Sequence, residues 1–138
     1  MKNWFFAIAL LVFFMSSCKD STAPVIESLT VNGTAITSSG QTVNAGINEN
    51  VRIQGVVRDD EDLLQFIVFI DTTGLDDKER LYADGLEGTE AAIDFTLSGR
   101  QLDSLAQRYY FGQALPVEFT LSDQNQNTTN RVINFVIN

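Results

Sequence analysis

The amino-acid sequence predicts an all-β domain, an antiparallel β-sandwich of about seven strands with one short inserted helix. Three observations favour this fold. Apolar and polar residues alternate in several short segments, as they do in half-buried strands. Turn residues separate these segments, without the regular exchange of strands and helices that indicates a parallel sheet. Residues 24–138 are enough chain to bury one two-sheet core.

In the first half of this region, residues 24–31 form the first predicted strand, which ends at the turn dipeptide Asn32-Gly33. Residues 34–37 either pair back as a hairpin or form a loop, and the glycine-marked stretch after them is predicted as loop. Residues 51–58 alternate and therefore predict a strand with one exposed face. The nearly continuous apolar run 63–71 predicts a central strand that is covered on both faces.

In the second half, residues 79–83 predict a short edge strand, and alternation returns at 91–98, 117–121 and 131–137. Between the predicted strands 91–98 and 117–121, four apolar residues recur at the spacing of a helix: Leu102, Leu105, Ala106 and Tyr109. The spacing predicts a helix over about 100–110. Ser98 and Gln101 have the spacing of a capping box at its start, and Gly112 suits its end.

Composition and charge exclude several classes of function. The chain has 9 Lys+Arg, 18 Asp+Glu and no His, and its one cysteine is Cys18. The part after Cys18 therefore holds no His or Cys for serine- or cysteine-protease chemistry, for a His- or Cys-ligated metal, or for an internal disulfide. The net charge of −9 argues against nucleic acid as a partner, because phosphate contacts need clustered Lys and Arg. No second domain or long loop builds a cleft, and no enzyme activity is expected.

The N-terminus is typical of an export signal. Lys2 precedes an apolar run of 12 residues, 4–15, that would span about 18 Å as a helix, well short of the ~30 Å hydrocarbon core. A cleaved signal is therefore favoured over a transmembrane anchor.

Met15-Ser16-Ser17-Cys18 resembles the lipobox of bacterial lipoprotein signal peptides, although the family prefers Leu where Met15 stands. The resemblance implies removal of residues 1–17, a covalent lipid on Cys18 and a polar tether over 18–23. It also implies an outer membrane lipoprotein, periplasmic or surface-exposed, because inner-membrane retention typically needs Asp where this chain has Lys19. The alternative is ordinary signal-peptidase cleavage that leaves a free thiol.

Three segments resemble the immunoglobulin-like or cadherin-like β-sandwich: PVIESL at 24–29, the strand and acidic turn at 51–62 that lead into the run 63–71, and SDQN at 122–125. The resemblance covers residues 24–138 and is to domains common in surface lipoproteins, many of them in uncharacterised families. It implies a binding or structural module without naming a ligand. The disulfide and the buried Trp of antibody domains are absent.

That topology would bring the turns at 59–62 and 123–127 to one end of the sandwich, together with the start of the first strand. The residues whose oxygens could then bind calcium are Asp59, Asp60, Asp62, Asp123 and Asn125. Carboxylates so close repel one another unless a cation intervenes. Asp and Asn are also common turn formers, and the interpretation as solvated turns is favoured. No cofactor is required by this fold; the acidic end is expected to face the membrane and the helix to point away from it.

Tyr82, Tyr110 and Phe111 are candidate binding residues for a partner or a sugar, although such a cluster more often docks a helix onto a sheet. The sequence therefore predicts a membrane-anchored, non-catalytic binding or structural module of the cell envelope that engages protein. Two alternatives stay open. One is a carbohydrate-binding accessory lipoprotein of a glycan-uptake system, and the other is a calcium-stabilised adhesion domain.

Overall fold

The structure is a computed structural model, and it describes residues 21–72 and 78–138. The predicted signal peptide at 1–17 and the predicted lipidation site at Cys18 lie outside the described residues. Within the described ranges there are nine strands and one helix, here called α1. In chain order they are β1 Val25–Val31, β2 Thr34–Ala35, β3 Gln41–Ala45, β4 Asn50–Arg58, β5 Leu63–Asp71, β6 Lys78–Gly85, β7 Glu90–Ser98, α1 Gly99–Tyr110, β8 Leu115–Asp123 and β9 Thr128–Ile137.

The strands form two sheets. One has the order β2-β1-β4-β7 and the other the order β3-β9-β8-β5-β6. This is the strand arrangement of an immunoglobulin-like sandwich with two extra edge strands, β2 and β3, so the predicted fold is confirmed. Each described pair is antiparallel except β3 with β9, which is parallel. The segment of β3 was predicted as loop because Gly40 and Gly46 flank it, and this was wrong. Of the two alternatives for residues 34–37, the hairpin is present, because β2 pairs back onto β1.

Alternate residues of both sheets point inward and form one core. The largest of its completely buried side chains include Phe66, Phe119 and Phe135. The run over β5 was predicted to be covered on both faces, and this was wrong. One face of β5 is fully buried, whereas on the other Ile67 and Phe69 are only half-buried and Leu64 is 42% exposed. Among the described residues, no second layer covers that face. The apolar side chains on the outer face of β5 are therefore not explained by burial in the core.

Helix α1 connects β7 to β8 and packs its apolar stripe on the core. Leu102, Leu105 and Ala106 are buried, as the spacing predicted. The predicted capping box does not form, because Ser98 makes no side-chain hydrogen bond at the helix start. The first helical amide, that of Gly99, instead donates to the Glu49 carbonyl oxygen at 2.9 Å. A loop of the chain replaces a side chain as the cap.

The two ends of the sandwich differ in what they carry. At one end β1 begins, because Val25 pairs with Arg58 at the end of β4. At the other end α1 begins, because Ser98 pairs with Asn50 at the start of β4. The first end is called the acidic end below, and the second the helix end. Nowhere in the described ranges is there a helix with the length and apolar character needed to cross a membrane.

Candidate functional site

The acidic end brings together the two turns that the sequence analysis placed there. The Gln124 amide donates to the Asp62 carbonyl oxygen at 3.1 Å, and the Asn125 side-chain amide donates to Glu61 Oε2 at 2.7 Å. The Thr129 hydroxyl donates to the Pro24 carbonyl oxygen, which joins the start of β1 to the same end. The predicted convergence of the β4–β5 turn, the β8–β9 turn and the start of β1 is therefore present.

An open groove of about 490 Å³ lies between these turns, and it is here called the acidic groove. Its lining residues are Asp60, Glu61, Asp62, Thr89, Gln124 and Asn125. Three of the five predicted calcium ligands line it. Thr89 also lines the groove, from the β6–β7 loop, and it was not predicted. An uncharged residue in a loop did not indicate a place in the site.

The other two predicted ligands, Asp123 and Asp59, serve local structure. Asp123 is fully buried, and its oxygens accept hydrogen bonds from the Asn127 backbone amide at 2.8 Å and side-chain amide at 2.6 Å. Asp123 thus shapes the β8–β9 turn. Asp59 Oδ1 accepts a hydrogen bond from the Asp60 amide at 3.0 Å, while its Oδ2 is buried without a partner. Burial raises the pKa of Asp59, and the nearby negative charge of Asp123 acts in the same direction.

The acidic end therefore collects carboxylates without arranging them as a ligand set. Across residues 21–72 and 78–138, no group of three or more His, Cys, Asp or Glu side chains is positioned to hold a metal ion. Calcium at Asp59, Asp60, Asp62, Asp123 and Asn125 stays a prediction.

Two of the three candidate aromatic residues are used in packing. Tyr82 stacks on Phe95 with ring centroids 3.9 Å apart and an interplanar angle of 5°, which joins β6 of one sheet to β7 of the other. The Tyr110 hydroxyl donates to the Asp71 carbonyl oxygen at 2.6 Å and ties the end of α1 to the end of β5. Both side chains are half-buried, and burial raises the pKa of each phenol.

Phe111 is different, because its side chain is 88% exposed. It is the residue that ends α1, and its backbone is left-handed with φ 54° and ψ 36°. Its amide donates to the Ala106 carbonyl oxygen, so the helix end is satisfied by backbone atoms alone. Gly112, which the sequence predicted at the helix end, is also left-handed with φ 76°, but the left-handed backbone begins one residue earlier, at a bulky aromatic residue. Of Tyr82, Tyr110 and Phe111, only Phe111 offers its ring to a partner.

No family model matches the chain, and no curated protein sequence matches it. Among solved structures, murine CRIg matches with a TM-score of 0.45 and 9% identity, over 85% of this chain and 99% of that one. A β-glucosidase from Listeria innocua in complex with glucose matches with a TM-score of 0.42 and 11% identity over 79% of this chain. This chain spans only 16% of the glucosidase. At such TM-scores neither likeness bears on function.

Proposed function

We propose that this chain is a lipid-anchored, non-catalytic binding module of the cell envelope that engages a protein partner through Phe111. The class of module rests on the immunoglobulin-like sandwich. The observation that carries the choice of surface is the exposed, left-handed Phe111 at the end of α1. Anchoring rests on the sequence before residue 21, where Cys18 ends a lipobox-like segment.

Phe111 contributes little to the stability of the fold, and it carries two unfavourable local terms, a left-handed backbone and an exposed apolar ring. A left-handed backbone costs a residue with a Cβ about 1–2 kcal/mol. A glycine at position 111 would avoid this cost, since glycine is the usual left-handed residue at a helix end. An exposed phenyl ring also leaves most of its apolar area in water. Aromatic side chains are enriched among the residues that dominate binding energy at protein interfaces. A partner that buries the ring would account for both costs.

The start of β1 and Phe111 lie at opposite ends of the domain. The tether from Cys18 to Pro24 reaches at most ~20 Å when fully extended, and it joins β1 at the acidic end. A nine-residue strand such as β5 spans about 30 Å. The end of α1 is tied to the far end of β5 by the Tyr110 hydrogen bond. Lipid on Cys18 would therefore leave Phe111 on the side that points away from the bilayer.

Anchoring is tested by fractionation of cells that express the chain and its Cys18→Ser variant. Stable anchoring needs two or more acyl chains, which the lipobox would supply through Cys18 alone. The wild type should sediment with membranes and the variant should not. Lys19→Asp is the matched control, since it keeps the cysteine. It should stay with membranes but move from outer to inner membrane. A Cys18→Ser chain that still partitions wholly with membranes contradicts the proposal.

Partner binding is tested with a photo-crosslinking amino acid at Gln113, an exposed position two residues from Phe111. The probe is placed in the wild type and in a Phe111→Ser background, so that the crosslinker itself is the same in both. The proposal predicts an adduct of one defined mass in intact cells that disappears with Phe111→Ser. An adduct of equal yield in both backgrounds would show that Phe111 is not the contact.

The acidic groove supports a second candidate function, calcium-stabilised adhesion. Three carboxylate residues and two side-chain amides line it, which is a chemistry that calcium accepts. A ligand that binds only the folded state must raise the Tm. Calcium should therefore raise the Tm relative to chelator in the wild type, and less so in Asp62→Asn. An unchanged wild-type Tm removes this candidate.

A further inference from the structure

The open side of the sandwich carries a second groove, away from both ends. It measures about 350 Å³ and lies between β1 and β2 of one sheet and β9 of the other. Its lining residues are Glu27, Ser28, Leu29, Thr30, Ala35, Ile36, Thr37 and Arg131. It is called the side groove below.

Arg131 bridges the two sheets at this groove. It pairs across β8–β9 with the buried Phe119 and so points to the inner side of its sheet. Its guanidinium donates to the Ile36 carbonyl oxygen at 3.2 Å and to the Ile26 carbonyl oxygen at 3.3 Å. Both partners are neutral. A guanidinium has five N–H donors, so it keeps donors for a further acceptor in the groove.

Within residues 21–72 and 78–138, no ion pair neutralises the charge of Arg131. The ion pairs found in the described ranges involve Arg52, Arg58 and Lys78, and none includes Arg131. Glu27 lines the same groove, and its carboxylate shares Arg58 with Glu90, at 3.0 and 2.8 Å. A half-buried cation without a carboxylate is unexpected in a chain with twice as many acidic as basic residues. The guanidinium is therefore open to pairing with an anion.

The strand edge beside the groove is also open. β3 pairs with β9 only from Ile133 to Ile137. Before that, Val132 directs its amide to Ser39 Oγ and its carbonyl oxygen to the Gly40 amide. Alternate residues of a strand direct their backbone groups to the same edge, so Asn130 presents its N–H and C=O on this edge, beyond the reach of β3. Such an edge accepts an added strand.

We propose that the side groove docks an extended peptide that places a carboxylate on Arg131 and adds a short strand to the edge of β9 at Asn130. The open edge selects an extended backbone, and the guanidinium selects a carboxylate, which it can bind through two parallel hydrogen bonds. Thr37, which is exposed, lines the groove as well, whereas the hydroxyls of Ser28 and Thr30 are bonded to the backbone of β4. The occupant is the C-terminal end of a peptide, whose free carboxylate meets this requirement. This site is distinct from Phe111, and its test does not depend on the anchor.

The experiment is an NMR titration of the processed chain carrying Cys18→Ser. The probe is the peptide acetyl-Ser-Val-Thr-Val-Thr with a free C-terminal carboxylate, compared with the same peptide as a carboxamide. The proposal predicts that the amides of Asn130 and Arg131 shift on titration, and that the carboxamide binds at least tenfold more weakly. Inorganic phosphate is titrated in parallel, and it should not shift the Asn130 amide.

Variants separate docking from folding. Arg131→Gln should weaken binding of the carboxylate peptide at least tenfold, whereas Arg108→Gln, which removes one charge from an exposed position on α1, should leave it unchanged. Arg131→Gln also loses two bonds to backbone, so Thr37→Trp provides a second variant. Thr37 is exposed and lines the groove, and an indole there should block the peptide without entering the core. Equal binding of the two peptides, retained binding in Thr37→Trp, or the same shifts with phosphate would overturn the proposal.

Discussion

The exposed Phe111 makes a prediction in which stability and binding change in opposite directions. Phe111→Gly relieves the left-handed backbone, a gain of about 1–2 kcal/mol. The ring is 88% exposed, so only about 25 of its roughly 200 Å² are protected by the fold. At about 25 cal/mol per Å², losing that contact costs about 0.6 kcal/mol. The variant should therefore be more stable than the wild type by roughly 0.4–1.4 kcal/mol.

The assay is thermal and chemical denaturation of the wild type and two variants. For a domain of this size Phe111→Gly should raise the Tm by roughly 2–5 °C. Phe111→Ala is the matched control: it removes the ring but keeps the backbone cost, so it should be slightly less stable than the wild type. Both variants should abolish the Phe111-dependent adduct. A Phe111→Gly chain that loses more than about 1 kcal/mol would refute the reasoning, since the ring would then be holding the fold together.

Three further predictions test the local structure. Because the folded state raises the pKa of Asp59, the charged form of Asp59 destabilises the fold. Asp59→Asn should therefore raise the Tm at pH 7, with a gain that fades as pH falls through the raised folded-state pKa and is gone below the unfolded pKa of about 4. An equal gain at pH 3 would contradict this. Gly99→Ala places a Cβ 2.8 Å from the Glu49 carbonyl oxygen and should lower the denaturation midpoint strongly, whereas Gly85→Ala, with open space around it, should change it little. Tyr110→Phe loses the 2.6 Å hydrogen bond from its hydroxyl and should cost about 0.5–1.5 kcal/mol by denaturant titration.

Much of the fold could be predicted from local pattern. Alternation identified β4 and β7, since each lies with one face on the core. The helical stripe identified α1 because Leu102 and Leu105 recur at the spacing that buries one side. Strand β3 could not be predicted, because it owes its place to parallel pairing with β9, some ninety residues later in the chain. Local sequence carries no record of such a pairing.

The candidate sites could be predicted only in part, because topology places the turns whereas side-chain contacts decide what each residue does. The two acidic turns were placed at one end from topology alone, and they are joined there by the Asn125–Glu61 hydrogen bond. The sequence could not show that both carboxylate oxygens of Asp123 accept hydrogen bonds from Asn127 within the same turn. Nor could it separate the packed Tyr110 from the exposed Phe111, because the position of the left-handed residue depends on how the helix end meets β5.

The chemical state of residue 18 in cells is the feature on which the proposed function most depends. The direct measurement is the intact mass of the native polypeptide extracted from membranes. Our account predicts a chain that begins at Cys18 and carries the added mass of a diacylglycerol and an amide-linked acyl chain. A chain that begins elsewhere, or one whose Cys18 carries no lipid, would contradict it.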